Sequence, residues 1–253
     1  MVLLIFFFLL TALLYASVGF GGGSTYNALL ILHGTDYQIV PAIALVCNIL
    51  VVAGGVWRFG QAGHIQLGKI APWIAASIPF AWIGGRLPIP ETLFVGILGL
   101  ALAAAGARLL LQRNVPEAAA TRPRSTWLAA PIGAALGFLS GIVGIGGGIF
   151  LAPILHLLRW DNAQSIAGAC SLFILANSIS GLAGQLAKLS DLAMIEAFAA
   201  YWLLIPAILI GGQIGSHLGS TRLSEGLLRR LTAVLVLYVA GRLLLRWLQI
   251  VNA

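Results

Sequence analysis

Two runs of glycine stand out among the residues that could bind a ligand. Residues 19–23 read Gly-Phe-Gly-Gly-Gly, and residues 144–148 read Gly-Ile-Gly-Gly-Gly. Each glycine weakens a helix by roughly 1 kcal/mol relative to alanine, so both runs predict a helix break. A helix that restarts after a break presents unpaired N–H groups and the positive end of its dipole. These features suit an anion, and we expect a binding site at the two runs.

The residues that follow the two runs differ in polarity. Ser24, Thr25 and Asn27 follow the first run and could add neutral hydrogen-bond donors, whereas Ile149 opens an apolar stretch after the second. Such a site could hold the charged head of an organic anion on one side and its body on the other. The alternative is that the glycines only let membrane helices approach closely.

Two asparagines complete the candidate site. Asn48 and Asn177 lie inside apolar segments and align with each other between the two halves of the chain. Because an unpaired amide is costly in such surroundings, each must have a partner. Contact with substrate or loop backbone and hydrogen bonding between helices are equally good interpretations. The predicted substrate-binding residues are Gly21, Gly22, Gly23, Ser24, Thr25, Asn27, Asn48, Gly146, Gly147, Gly148, Ile149 and Asn177.

The composition places these residues in a membrane. The mean hydropathy is +1.02, and 8% of the residues are charged, against roughly 25% in soluble domains. We therefore expect an all-α polytopic membrane protein whose first segment belongs to the fold. The net charge of +7 is typical of basic cytoplasmic loops and does not indicate nucleic-acid binding.

The landmarks of the chain occur twice. Besides the glycine runs, Pro79 precedes a Gly-Gly pair at 84–85, and Pro206 precedes one at 211–212. The sequence thus predicts a first membrane repeat over 1–111, a polar linker over 112–126 and a second membrane repeat over 127–253. Duplicated halves with broken helices at matching positions are typical of transporters that bind substrate near the membrane midplane.

Helix geometry suggests how each broken segment sits in the bilayer. An unbroken helix over 2–32 would be roughly 46 Å long, against about 30 Å of hydrocarbon. A re-entrant hairpin that turns at the glycines fits better. Each half then has one hairpin and three transmembrane helices, and the odd number makes the repeats inverted. Most Lys and Arg residues then share the side of the linker, which we expect to be cytoplasmic, with both termini outside. If both broken segments crossed the bilayer fully, giving eight spans, the Lys and Arg residues would be divided more evenly between its two sides.

Other chemistry is poorly supported. The glycine runs lack the strand and helix context of a nucleotide-binding loop, and no Ser, His and Asp pattern indicates an enzyme. No metal or cofactor site is expected, because no histidine pair has ligand spacing. No buried carboxylate suggests ion coupling. Weaker polar candidates are Ser171, Ser178, Ser180 and Gln213.

The second glycine run carries a recognisable pattern. Residues 144–155 read Gly-x-Gly-Gly-Gly-x-x-x-x-Pro-x-Leu, which resembles the signature of the TauE/SafE sulfite exporter family, also called TSUP transporters. Residues 19–30 resemble it too, except that Ala28 stands where Pro153 stands in the second half. The resemblance covers essentially the whole chain. It implies a carrier in the bacterial inner membrane for sulfite, sulfoacetate or related sulfonates, and it implies export.

The residues and the resemblance together predict a mechanism. The two hairpins would meet near the midplane while the flanking helices rock around them, with Pro79 and Pro206 as hinges or fixed kinks. The partners would be a small anion and the lipid bilayer. An anion channel of the same architecture, an importer of a different anion and a non-transporting membrane scaffold are the alternatives.

Overall fold

The computed structural model describes residues 1–17, 19–111, 126–158, 160–188, 199–221 and 225–252. These ranges contain no strand, which confirms the all-α prediction. A 3₁₀ turn, Thr126–Leu128, precedes the sixth helix. The α-helices of the described ranges are α1 (Val2–Ser17), α2 (Gly23–His33), α3 (Val40–Gln61), α4 (Leu67–Arg86), α5 (Glu91–Leu111), α6 (Ala129–Val143), α7 (Gly148–Leu157), α8 (Ala163–Lys188), α9 (Leu204–Thr221) and α10 (Glu225–Val251).

Both glycine runs interrupt a helix, as predicted. The first break separates α1 from α2, which begins at Gly23, and the second separates α6 from α7, which begins at Gly148. Gly22 has a φ of 87° and Gly147 a φ of 78°. This left-handed conformation is accessible to glycine at little cost, so the two turns depend on the residue type.

The α1–α2 segment turns back on itself. The position of an added Cβ on Gly22 lies 3.1 Å from the side chain of Thr11, so the chain has returned to the middle of α1 before α2 starts. The rings of Phe8 and Tyr26 then stack with their centroids 4.6 Å apart. Aromatic stacking and burial thus fix the start of α2 against α1.

The α6–α7 segment also doubles back, from the opposite end of the molecule. Its turn reaches Pro41 at the start of α3, with an added Cβ on Gly144 only 2.7 Å from the Pro41 Cα. The beginnings of α4, α6 and α8 share a buried cluster with α7. Members of this cluster are Ile70, Trp73, Ala129, Leu151, Leu155 and Ile166. Both ends of the segment therefore lie at the end of the molecule where α4 starts.

Glycines bring several helices into backbone contact. Along α6, the positions of three added Cβ atoms lie 2.5, 2.3 and 2.0 Å from carbonyl oxygens of α4. Two glycines of α9 meet carbonyl oxygens of α1 at 2.3 and 2.1 Å. The pairs are Gly133 with Trp73, Gly137 with Ser77, Gly141 with Ala81, Gly211 with Leu9 and Gly215 with Leu13. Small residues at helix contacts are typical of membrane proteins.

Several helices suit a bilayer by length and composition. Within the described residues, Val40–Gln61, Glu91–Arg108 and Gln164–Lys188 are long and apolar enough to cross one. Shorter apolar helices cover Val2–Ser17, Ala129–Val143 and Leu204–His217. Large apolar side chains such as Trp57 are exposed on the outer surface, as expected for contact with lipid. The predicted number of crossings stays a prediction.

Two further predictions concern the connections and the prolines. Of the predicted linker, 112–126, all but the last residue lies outside the described residues. Pro79 lies inside α4 as expected. Pro206, however, lies in the first turn of α9, where a proline interrupts no hydrogen bond of the helix. Pro206 therefore does not bend the interior of α9, and its role as a hinge stays a prediction.

Candidate functional site

Asn48 of α3 connects the two glycine loops. Its Oδ1 accepts a hydrogen bond of 2.8 Å from the backbone N–H of Gly23, and its Nδ2 donates one of 3.1 Å to the carbonyl oxygen of Ile145. The side chain is fully buried. Because a buried amide without partners is unfavourable, this geometry fixes the first loop, α3 and the second loop relative to one another.

The first loop is glycine because Asn48 occupies the space beside it. An added Cβ on Gly21 would lie 2.3 Å from the Asn48 Oδ1, and one on Gly23 would lie 2.3 Å from the Nδ2. No side chain fits at either position unless Asn48 moves. The predicted residues Gly21, Gly23 and Asn48 are thus in direct contact.

The predicted donors of α2 are engaged within the protein. The hydroxyl of Tyr15 lies 2.9 Å from the Thr25 Oγ1 and 3.4 Å from the Ser24 Oγ. Asn27 donates a hydrogen bond of 2.6 Å from its Nδ2 to the carbonyl oxygen of Val143, just before the second loop. Its buried Oδ1 has no partner within the described residues. Asn27 and Asn48 therefore both bind carbonyls of the second loop region.

The second loop meets an apolar residue where the first meets Asn48. Added Cβ atoms on Gly146 and Gly148 would lie 2.7 and 2.4 Å from the side chain of Ile174 in α8. Gly147 faces Phe173 at 2.9 Å, and Ile149 is buried. The second loop therefore packs against apolar side chains of α8, while an added Cβ on Gly146 would also lie 3.0 Å from the Asn48 Nδ2 and 3.1 Å from the Ser178 Oγ.

Asn177 does not occupy the position that the sequence assigned to it. It lies one helical turn beyond Ile174, and its Nδ2 donates to the carbonyl oxygen of Phe173 in its own helix at 3.0 Å. Its buried Oδ1 has no partner within the described residues. Ile174, one helical turn earlier and on nearly the same helix face, takes the place against the second loop that Asn48 takes against the first. The role of Asn177 in binding stays a prediction.

The sequence analysis missed Tyr15 and ranked Ser171 low. Ser171 of α8 donates a hydrogen bond of 2.8 Å to the carbonyl oxygen of Gly19, so the second half also binds the first loop. A signal for Tyr15 was available, since a buried tyrosine hydroxyl normally needs a partner and Ser24 and Thr25 follow within ten residues.

Charged groups lie at the ends of the helices rather than at the loops. Lys69 pairs with Asp161 at 2.8 Å, and Arg246 pairs with Glu91 at 3.1 Å. Burial alone would raise the pKa of Asp161, but hydrogen bonds from Lys69 and the Asn162 N–H, with the charge of Lys69, lower it overall. Asp161 therefore stays ionised next to Lys69 at neutral pH.

The described residues contain no group of three or more His, Cys, Asp and Glu side chains that could hold a metal ion. A shallow open depression of about 440 Å³ on the surface of α3 includes none of the predicted site residues. It is lined by Ala53, Val56, Trp57, Gly60 and Gln61. The glycine loops themselves are closely packed and buried.

Comparison with known proteins identifies the family of this chain. The model of the sulfite exporter TauE/SafE family matches residues 4–243, a range that includes both glycine loops and Asn48. The chain belongs to the TauE/SafE sulfite exporter family. This membership confirms the resemblance drawn from the glycine pattern and identifies the chain as a membrane transporter.

Two relatives have transporter names as well. A probable membrane transporter protein, y4hK, of Sinorhizobium fredii is 34% identical over 94% of this chain and 95% of that protein. A probable membrane transporter protein, MamO, of Magnetospirillum gryphiswaldense is 24% identical over 78% of this chain but only 38% of its own length. No solved structure matches this member of the TauE/SafE family.

Proposed function

We propose that the chain is a secondary transporter that exports small sulfur-containing anions across the bacterial inner membrane. Sulfite, sulfoacetate and related sulfonates are the proposed substrates, and alternating access is the proposed mechanism. The observation that carries the proposal is the contact of Asn48 with both glycine loops. A buried polar junction between two broken helices is where transporters of duplicated design bind substrate.

The contacts of α3 and α8 support two inverted repeats. Pro41 meets the second loop and Ala167 meets the first, while Asn48 and Ile174 stand against corresponding glycines of opposite loops. The separation in sequence between Pro41 and Ala167 equals the separation between Asn48 and Ile174. The two broken segments enter from opposite ends, as inverted repeats require. With the basic residues assigned to the inside, this arrangement favours a cytoplasmic linker and external termini.

The chemistry of the loops supports an anion with an apolar part. The N–H of Gly23 at the start of α2 donates to a neutral oxygen, the Asn48 Oδ1. A sulfonate oxygen carries more negative charge and would form a stronger hydrogen bond there. Ile149 of α7 and Ile174 of α8, beside the second loop, would contact the organic body of the substrate.

Binding at this place requires movement. The loops and Asn48 are buried, so the substrate must displace the Asn48 carbonyl from Gly23 when it arrives. Exchange of one hydrogen-bond acceptor for another links occupancy of the site to separation of the two loops. That link is the property an alternating-access carrier needs.

Thermal stabilisation of the purified protein tests the proposed substrates. A ligand that binds only the folded protein at 100 times its Kd stabilises it by about 2.7 kcal/mol. We expect sulfite or a sulfonate to raise the melting temperature in detergent, and carboxylates of the same size to raise it less. No shift with any sulfur anion, in a sample that melts cooperatively, would contradict the proposed substrate class.

Counterflow separates the carrier from an anion channel. Proteoliposomes loaded with unlabelled substrate should accumulate labelled substrate transiently above its external concentration. A channel would only equilibrate the label. The direction of net flux in cells that make the protein then distinguishes export from import.

A further inference from the structure

Two interfaces between long helices differ in how closely they pack. Where α4 meets α8, an added Cβ on Gly85 would lie 2.4 Å from the carbonyl oxygen of Gly181. One on Gly184 would lie 2.3 Å from the carbonyl oxygen of Trp82. The backbones of α4 and α8 are therefore in contact, and nothing can pass between them.

The interface between α3 and α9 is instead formed by side chains, one apolar and one polar. An added Cβ on Gly212 of α9 would be 3.6 Å from its nearest neighbour, the side chain of Val51. An added Cβ on Gly54 of α3 would lie 3.3 Å from the Nε2 of Gln213. The space between these helices is thus filled by the flexible end of a side chain rather than by backbone.

Arg58 lies at the exposed edge of this interface, and no carboxylate of the described residues pairs with it. Its guanidinium donates to the Oε1 of Gln213 at 2.8 Å and to the Oγ of Ser216. Both acceptors are neutral, and neither ion pair within the described residues includes Arg58. The side chain is exposed. A guanidinium has five N–H donors in a planar fork that matches the oxygens of an oxyanion.

The neighbouring glycine of α3 lies against α8, close to the first glycine loop. Gly55, next to Gly54, faces the hydroxyl of Ser171 in α8, with an added Cβ 3.5 Å from the Oγ. The same hydroxyl donates to the carbonyl oxygen of Gly19. Arg58 and the contact with the first glycine loop therefore lie along the same stretch of α3, one on the side of α9 and the other on the side of α8.

We propose that the interface between α3 and α9 opens as the entry path for the anion, and that Arg58 and Gln213, with Ser216 positioning the guanidinium, bind an oxyanion at its exposed edge. The guanidinium would supply two parallel hydrogen bonds and the Gln213 amide a further donor. The Ser216 hydroxyl accepts from Arg58 and donates to the backbone carbonyl oxygen of Gln213, so it positions the guanidinium. The purpose of the site rests on the proposed transport function, but its ability to bind an oxyanion does not.

Charge-selective labelling of Gly54→Cys tests the site without transport. The variant places a thiol beside Gln213, and the parent protein, whose Cys47 and Cys170 are buried, is the control for background. The probes are two methanethiosulfonate reagents of similar size, one with a sulfonate and one with a trimethylammonium group. Their rate ratio cancels any effect of Arg58 on ionisation of the thiol.

We expect the sulfonate reagent to react roughly tenfold faster than the cationic one, because a local positive charge concentrates anions. Arg58→Gln in the Gly54→Cys background should abolish this preference, while Arg58→Lys should retain most of it. Arg86→Gln is the matched control, because Arg86 is the last residue of α4 and Arg58 lies near the connection from α3 to the start of α4. This substitution should leave the rate ratio unchanged. Sulfate at millimolar concentration should slow the reaction of the sulfonate reagent only in protein that retains Arg58.

Three results would overturn the proposal. One is an absence of labelling in folded Gly54→Cys protein, which would mean that the interface between α3 and α9 is closed to water. Another is a rate ratio that is the same with and without Arg58. The third is a lack of protection by sulfate, which would mean that no oxyanion binds. Each result is independent of whether the protein transports sulfonates, since all are measured in detergent.

Discussion

Asn48 is the residue on which both halves of the candidate site depend. It supplies an acceptor to one loop and a donor to the other, so its two ends are not interchangeable. The sequence predicted its importance from its position in an apolar helix. Its partners could not be predicted, because they lie in segments 25 and 97 positions away, and only the packing of α3 between the loops brings them together.

Replacement of Asn48 by alanine should destabilise the protein strongly. It leaves the Gly23 N–H and the Ile145 carbonyl buried without partners, at a cost of about 1 to 3 kcal/mol each. We expect the melting temperature in detergent to fall by several degrees.

Asn177→Ala is the matched control for this prediction. Its side chain binds only its own helix, so its loss should have a much smaller effect. Equal destabilisation by the two variants would mean that Asn48 does not hold the loops together.

At the scale of the helices, glycine content predicted the breaks but not the exact register. A triple glycine disfavours a helix wherever it occurs, so the positions at which α2 and α7 begin followed from composition. The pairing of α3 with α8 did not, because hydropathy is nearly unchanged when one apolar helix slides by three residues against another. The correct partner of the second loop, Ile174, is recognisable only from the contact itself.

The left-handed glycines of the two loops should be irreplaceable. Alanine at a positive φ costs about 1 to 2 kcal/mol, and at Gly22 and Gly147 it would also press on Tyr26 and Phe173. We expect Gly22→Ala and Gly147→Ala to lower the melting temperature and to abolish stabilisation by a sulfonate.

Gly34 offers a control with the same backbone strain. Its φ is also 87°, but an added Cβ would have no neighbour within 4 Å. Gly34→Ala should therefore lower the melting temperature while the response to the sulfonate persists. If Gly22→Ala and Gly147→Ala keep that response as well, the loops are not the binding site.

The difference between the two helix interfaces predicts opposite tolerance to a methyl group. Gly85→Ala would overlap a carbonyl oxygen at 2.4 Å and should cost about 1 to 3 kcal/mol. Gly212→Ala has room and should leave the melting temperature unchanged or slightly higher, since alanine favours a helix. An equal fall in melting temperature in both variants would show that α3 and α9 pack as closely as α4 and α8.

At the scale of the whole molecule, composition was sufficient to predict a helical membrane protein, and a short motif was sufficient to predict its family. The orientation in the bilayer depends on weaker information, namely the distribution of a few basic residues. Entry of the two broken segments from opposite ends supports the proposed inversion of the repeats.

Reporter fusions should distinguish three crossings per half from four. With three, the linker and the C-terminus lie on opposite sides of the membrane; with four, they lie on the same side. We expect a fluorescent protein inserted after Asn114 to fluoresce, as it does in the cytoplasm, and alkaline phosphatase fused after Ala253 to be active outside. Activity of both reporters on one side would support eight full crossings.

The neutrality of the loop junction has an energetic consequence. No Asp, Glu, Lys or Arg is among the described buried residues, and the groups that hold the loops together are amides, hydroxyls and backbone. A carried sulfonate would then bring the only net charge across the bilayer. With the cell interior negative, each monovalent anion that leaves gains about 2.3 kcal/mol per 100 mV of membrane potential. Such a carrier would run outward on voltage alone, and import of the same anion would need a separate source of energy.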